Sequence, residues 1–432
     1  MTRTLLQFRR VSLAVVAAGS LASFNALAAQ PPGKGQDIEA KKHENPLMPV
    51  PHSDKTLSLA ECLAIGAEKQ PAIVAAVASL KASESGYASL MKIKSIASLA
   101  APDLPFRKQQ SERGLIVANA DVAKATQENR YDIIRLYYTF VYARQQDGTA
   151  YDIGTQMRVY YGVAEELSKE PGSNVNQYKL FAMKEAINEV DKLRITARTG
   201  QSMALAALKE AMGVDQSFDF IPRDTELPVM GGTVTEEQVV QLAKQRRPEL
   251  AMASAGVDAF RLEVCAQNAV KYRQKVPTLA SGSDLHSRLV PLPHRNGEYR
   301  PGALAPEMPG VLVGSKDDRV SRAQDIALRQ DALFDKTQQL VALEATNSYF
   351  NWQAATAKMA IAKIRFENGK DIAKKSREGA ANSKDQEGLI RTEALAGKAQ
   401  ADYIEAVYDH IKQLATLERV TAGGVKPAFP DK

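Results

Sequence analysis

From Ala342 to Gly424 small and apolar residues recur at three- and four-residue steps, and no proline interrupts them before Pro427. Ala342, Ala345, Tyr349, Trp352 and Thr356 run down one face, and Ala401, Ile404, Val407, Ile411, Leu414 and Leu417 mark another. That period is helical; strands would alternate every second residue. The pattern has one weak point, Arg377-Glu-Gly-Ala-Ala-Asn-Ser-Lys-Asp385, rich in the residues that end helices and make turns. The stretch therefore predicts a helical hairpin with arms of roughly 35 to 55 residues, about 50 to 80 Å long at 1.5 Å per residue. Helices of that length need to pack on one another as a bundle or coiled coil.

The same design occurs earlier. Leu57-Ser-Leu-Ala-Glu-Cys-Leu63 opens with Ser58 and Glu61 at capping-box spacing, and the short helix that follows has to stop before Pro71. A second helix is expected from Ala72 to about Lys94. Setting Pro71 against Pro248 places Ser58 on Thr235, Leu63 on Val240 and Lys69 on Arg246. Further on, Tyr137-Tyr138 matches Tyr349-Phe350, and Pro171-Gly-Ser-Asn-Val-Asn-Gln177 matches Ala381-Asn-Ser-Lys-Asp-Gln-Glu387. The change of offset puts an insertion between Pro277 and Arg319. The expected organisation is a signal peptide at 1–28, a flexible leader at 29–56, one repeat at 57–230, a second at 231–424 and a tail at 425–432. Two long-hairpin units are too few for a solenoid and suit pseudo-symmetric walls of a closed assembly.

Composition changes the picture in five places. Arg3, Arg9 and Arg10 precede the apolar run Val11–Phe24 and the small-residue triplet Ala26-Leu-Ala28, the form of an export signal. Its removal would take the formal charge from +6 to about +3, with acids and bases interleaved; no basic block argues for nucleic acid. The repeat register sets Cys62 and Cys265 about 26 residues apart along the same helical unit, about 39 Å, which argues against a disulfide. The five histidines show no metal-binding spacing, and Ser283-Asp-Leu-His-Ser287 gathers triad residue types side by side, which is a polar loop. No cofactor, metal site or catalytic group is expected. The aromatics Tyr131, Tyr137, Tyr138, Phe140, Tyr349, Phe350 and Trp352 stand at matching levels and read as packing between helices.

The opening Leu57–Leu63, the Gln70-Pro71 step, Arg247-Pro-Glu-Leu250, the helix after it ending in Val276-Pro-Thr-Leu279, and the two hairpins with their Asn/Ser/Gly turns together resemble the TolC family of outer-membrane efflux proteins, over nearly all of residues 55–424. The resemblance implies a mainly α fold of duplicated, antiparallel long helical hairpins (a TolC-like α-barrel). It also implies a homo-oligomer, a trimer, standing in the periplasm and joined to a β-barrel in the outer membrane with four strands from each chain. Such proteins are passive exit ducts that dock on an inner-membrane pump through a periplasmic adaptor protein, in efflux or type I secretion. Carried over by position, Pro171, Gly172, Ser173 and Asn174, with Asn382, Ser383, Lys384 and Asp385, would be the adaptor-docking tips. Asp371 and Glu378, near the second tip, are nominated as a constriction of the lumen, where rings of like charge can select or gate ions.

The connectors depart from that pattern. A membrane strand takes about 9 to 11 alternating residues, and a hairpin takes two. Ser95–Ser111 holds 17 residues with Pro102 and Pro105; Val276–Arg319 has the length but carries six prolines. Little or irregular β structure is therefore expected at 95–111 and 276–319. Two functions stay open. One is an outer-membrane or periplasmic channel component of an export system; the other is a barrel-less structural or scaffolding protein of the envelope that conducts nothing.

Overall fold

The computed structural model describes residues 49–94, 97–98, 101–170, 175–271, 316–380, 386–427 and 429. Among them are eight helices: α1 (Leu59–Lys69), α2 (Pro71–Met91), α3 (Leu104–Leu167), α4 (Gln177–Ala211), α5 (Glu236–Arg246), α6 (Pro248–Lys271), α7 (Lys316–Ala380) and α8 (Gln386–Val420). Two two-residue strands, β1 (Thr56–Leu57) and β2 (Ile221–Pro222), pair in parallel. The expected signal peptide and most of the leader lie outside the described residues. The leader's last residues are held: Ser53 is buried, its hydroxyl accepts from the Lys55 amide at 3.1 Å, and Thr56 enters β1.

The local signals act as read. Ser58 and Glu61 close a capping box on α1, and Thr235 and Gln238 close one on α5. Pro71 opens α2 at a position where its missing N–H is not needed. The second hairpin turns between Ala380 and Gln386. Its arms are unequal, however: α8 has 35 residues but α7 has 65 and begins at Lys316, well before Ala342. The first connector is also shorter than expected, because residues 104–111 belong to α3 rather than to irregular β structure. Of the second, residues 316–319 start α7 and the rest lies outside the described residues.

The two halves share their joints. The Gln70 side-chain amide donates to the carbonyl of Ala211, the last residue of α4, at 3.1 Å. Arg247, the corresponding cap position in the second half, donates to the carbonyl of Val420, the last residue of α8, at 3.5 Å. So α2 starts where α4 stops, and α6 starts where α8 stops. Both α2 and α4 lie against α3; α6 and α8 each lie against α3 and α7. One half of the body is thus the row α2–α3–α6–α7, and the half nearer the hairpin turns is the row α4–α3–α8–α7.

The main core fills the level of these joints. It includes Cys62, Ile133, Tyr137, Tyr138, Leu208, Phe220, Trp352, Val407, Ile411 and Leu417. Of the aromatic group, Tyr137, Tyr138, Phe140 and Trp352 are buried and Tyr131 and Tyr349 pack on the core, whereas Phe350 is half exposed. Cys62 is buried and Cys265 exposed, and both are free thiols.

The helix exits distinguish the two halves. Gly213 follows α4 with φ +67°, and a Cβ there would lie 2.5 Å from the Lys69 carbonyl oxygen. The matching position after α8 is Ala422, at φ 46°. Gly213→Ala is expected to cost about 1–3 kcal/mol, because the left-handed backbone and the clash add. Ala422→Gly relieves strain and is expected to be neutral or to stabilise by up to about 1 kcal/mol. Urea unfolding is the check: the midpoint of Gly213→Ala should fall, and that of Ala422→Gly should stay or rise.

Candidate functional site at the hairpin ends

The expected docking tips Pro171, Gly172, Ser173, Asn174, Asn382, Ser383, Lys384 and Asp385 lie outside the described residues; the structure describes what holds the helices that lead to them. Asn176 caps α4, its side-chain oxygen accepting from the Lys179 amide at 3.0 Å. Lys179 pairs with Glu387 at 3.3 Å, joining the first turn of α4 to that of α8, so the two hairpins end at one level. Met157, Ala164, Met183, Ile187 and Ile390 form a small apolar core just behind.

Three helices meet at Arg377. Its guanidinium donates to both carboxylate oxygens of Glu393, at 2.8 Å to Oε2, and to the side-chain oxygen of Gln156 at 3.2 Å. Glu393 is buried. The Glu393 hydrogen bond is the main reason the Arg377 pKa is raised. Burial, then the Glu393 charge, raises the Tyr160 phenol beside them. Ser376 and Thr392 add a hydroxyl contact at 3.2 Å. This cluster clasps α7 and α8 to α3. Sequence reading missed it, because Gln156 is 221 residues from Arg377. The available signal was hairpin geometry: Arg377 and Glu393 stand eight residues to either side of Asp385.

Asp371 and Glu378 are both exposed on α7 and lie outside that clasp. Seven residues apart, they share one face of the helix, about 10 Å from each other along it. A groove of about 450 Å³ runs between α7 and α8 farther from the tips, lined by Lys358, Arg365, Asp402, Glu405, Asp409 and Lys412 among others. Glu405 is shifted upward, by burial and then by Asp409 and Asp402. With acids and bases alternating and no nucleophile paired to a base, the groove is a polar seam. Among the described residues no group of His, Cys, Asp and Glu could hold a metal ion.

At the other end of the body, Arg107 on α3 is buried with Asp103 (3.3 Å), Gln110 (2.7 Å) and Glu263 of α6 (3.1 Å to Oε1). Burial alone would raise the Glu263 carboxyl, but Arg107, Gln110 and Gln267 hold it below its ordinary 4.5. The depressed value gives a stabilising contribution that is complete above that ordinary value and is lost as pH falls through the folded one. The stability difference between the natural protein and Glu263→Gln should therefore be largest near neutrality and shrink on acidification, read by urea unfolding across a pH series.

Two long hairpins joined to shorter helices that continue their line, with each half repeating the other, define the fold of the TolC-like outer-membrane channels. The solved structures that share it include the outer-membrane channel OprN (TM-score 0.66, 11% identity, 91% of this chain and 99% of that chain). The open state of the Neisseria gonorrhoeae MtrE outer membrane channel matches at TM-score 0.66 and 13% identity, over 85% of this chain and 89% of that one. The Campylobacter jejuni CmeC outer membrane channel matches at 0.62 and 11%, over 94% and 96%. No protein-family model and no curated protein sequence matches the chain.

Proposed function

We propose that copies of this chain close side by side into a helical tunnel, a trimer, that serves as the passive periplasmic exit duct of an efflux or type I secretion system at the outer membrane. The fold likeness supports the class. The observation that carries the reading is where the exposed apolar side chains lie. On α4 these are Tyr178, Phe181, Leu193 and Met203, and on α7 Leu328, Leu343, Phe350, Ile361, Ile364 and Ile372; the inner helices expose fewer in this half, Tyr151, Val159 and Val163 on α3 and Leu395 on α8. Helices α4 and α7 are the opposite ends of the row α4–α3–α8–α7. Leu193 and Ile364 each stand 16 residues from the tip-side end of their helix, about 24 Å at 1.5 Å per residue. A row with unlike, height-matched apolar ends can join end to end, and such a heterologous contact makes a ring when the rotation between copies closes.

In that assembly the loops Pro171–Asn174 and Asn382–Asp385 meet the periplasmic adaptor that links the duct to an inner-membrane pump. Asp371 and Glu378 supply two levels of carboxylates to a constriction, and the Arg377 clasp holds the tip end together until α7 and α8 part from α3. The test is cross-linking in cells. In a Cys265→Ser background, Leu193→Cys with Ile364→Cys is expected to give covalent dimers and trimers on oxidation and nothing larger, while either cysteine alone gives no ladder. An unbroken series of higher species, or no cross-link, would sink the closed tunnel.

A further inference from the structure

We infer that the α2–α3 corner stays on the periplasmic side and sends no strand into a membrane, and that a ring of three copies has no closed β-barrel of its own. The ring rests on the reading above; the rest comes from the corner itself.

Met91 ends α2 and Leu104 begins α3, which leaves twelve residues, 92–103. Fully extended they reach about 40 Å, about 20 Å out and back. Two passes of a hydrocarbon core of about 30 Å take roughly 18–22 residues before any turn. Nor are the corner's described residues, 92–94, 97–98 and 101–103, extended. The amide of Ile93 donates to Leu90 O at 3.2 Å, Ala97 to Lys94 O at 3.0 Å, Ala101 to Ala97 O at 2.8 Å and Leu104 to Ala101 O at 3.1 Å. These are helical turns that spend their hydrogen bonds locally. Lys108 Nζ donates to the Ile93 carbonyl at 2.7 Å and draws the incoming strand of chain onto α3. Ala101 and Asp103 are buried, and the Arg107–Glu263 cluster anchors the next turn of α3 to α6. Pulling the corner out into an extended hairpin would break all of these and leave buried charges unpaired.

No other described element replaces it. Among the described residues no single helix is long and apolar enough to cross a membrane. The bent pair α1–α2 reaches the length and composition, but α1 buries Leu59, Cys62 and Gly66 and packs against α3. The 44 residues between Lys271 and Lys316 carry Pro277, Pro291, Pro293, Pro301, Pro306 and Pro309, which leave one proline-free run of strand length, 278–290; that allows one strand pair at most, so three copies supply at most six strands. Closed membrane barrels begin at about eight, and open sheet edges do not persist in lipid.

The experiment places Lys94→Cys in a Cys265→Ser background of the full chain; Lys94 is exposed and Cys62 is buried. Cells are treated with a membrane-impermeant maleimide before and after the outer membrane is permeabilised, and the purified protein is tested for conductance in planar bilayers. Labelling only after permeabilisation, with no stepwise conductance, is the expected result. Labelling of intact cells, labelling in neither condition, or stable single-channel steps would each overturn the inference. The Leu193–Ile364 cross-link, run in parallel, separates the two claims. A monomer labelled only after permeabilisation sinks the ring and leaves the corner periplasmic; a cross-linked trimer that conducts keeps the ring and sinks this inference.

Discussion

Glu344→Ala is expected to destabilise the fold by about 3–5 kcal/mol, the range for removing one partner of a buried ion pair. Glu344 lies between two guanidiniums: Arg247 at 3.0 Å and Arg419 at 2.8 Å. All three side chains are less than 10% exposed, so solvent screens the attraction little. Arg247 would keep Glu249, at 2.9 Å, and the Val420 carbonyl; Arg419 would keep its stacking over Tyr131 and the weaker attraction of Glu128. The loss also falls where α5, α6, α7 and α8 meet, so no single helix can relax alone. Glu344→Gln, which keeps the shape and removes the charge, should fall between the two. Glu166→Ala removes an exposed pair with Lys169 and should change the unfolding free energy by no more than a few tenths of a kcal/mol. A Glu344→Ala cost below about 1 kcal/mol would mean that water reaches the cluster and screens its charges.

Ile364→Asp should abolish the ring while leaving the single chain folded. Ile364 is 58% exposed in one copy, so its replacement removes almost nothing from the monomer core. In a heterologous ring, however, the same α7 edge enters every contact, and a carboxylate buried at each costs several kcal/mol unless paired. Size exclusion with light scattering is expected to show loss of the trimer, a fall of 100-fold or more in association, with an unchanged helical spectrum. Leu395→Asp is the control. Leu395 is 57% exposed but sits on α8, inside the row. If both variants dissociate the ring, general loss of apolar surface rather than the α4–α7 edge is responsible, and the proposed contact is wrong.

What could be read from the chain alone follows from which forces are local. Capping boxes, the Pro71 stop and the hairpin turn are decided within a few residues, and these stand as expected. The length of α7 was not legible from Ala342, because 316–341 is rich in charge; its helix shows in buried Val320, Ala323 and Ala327 at three- and four-residue steps, which have meaning only once α6 is known to lie beside them. Pro105 looked like a breaker, yet in the first turn of α3 its absent N–H costs nothing. Phe350 matched Tyr138 in register but faces outward on an edge helix, which a repeat alignment cannot distinguish from a core position. The Arg377 clasp, the Glu344 cluster and the β1–β2 pairing all join residues far apart in the chain, and none leaves a periodic trace.

The end-to-end joints at Gln70 and Arg247 have a mechanical meaning. Each copy is two unbroken rods, α3 and α7, beside two spliced ones, α4 with α2 and α8 with α6. A splice carries compression, because helix ends butt together, but it carries tension only through a few side-chain hydrogen bonds. A push on the hairpin tips is therefore borne by four columns and a pull by two. A partner that engages the tips would find the body stiff toward the far end and compliant on withdrawal, with the splices, at one height, setting where the tip half yields first.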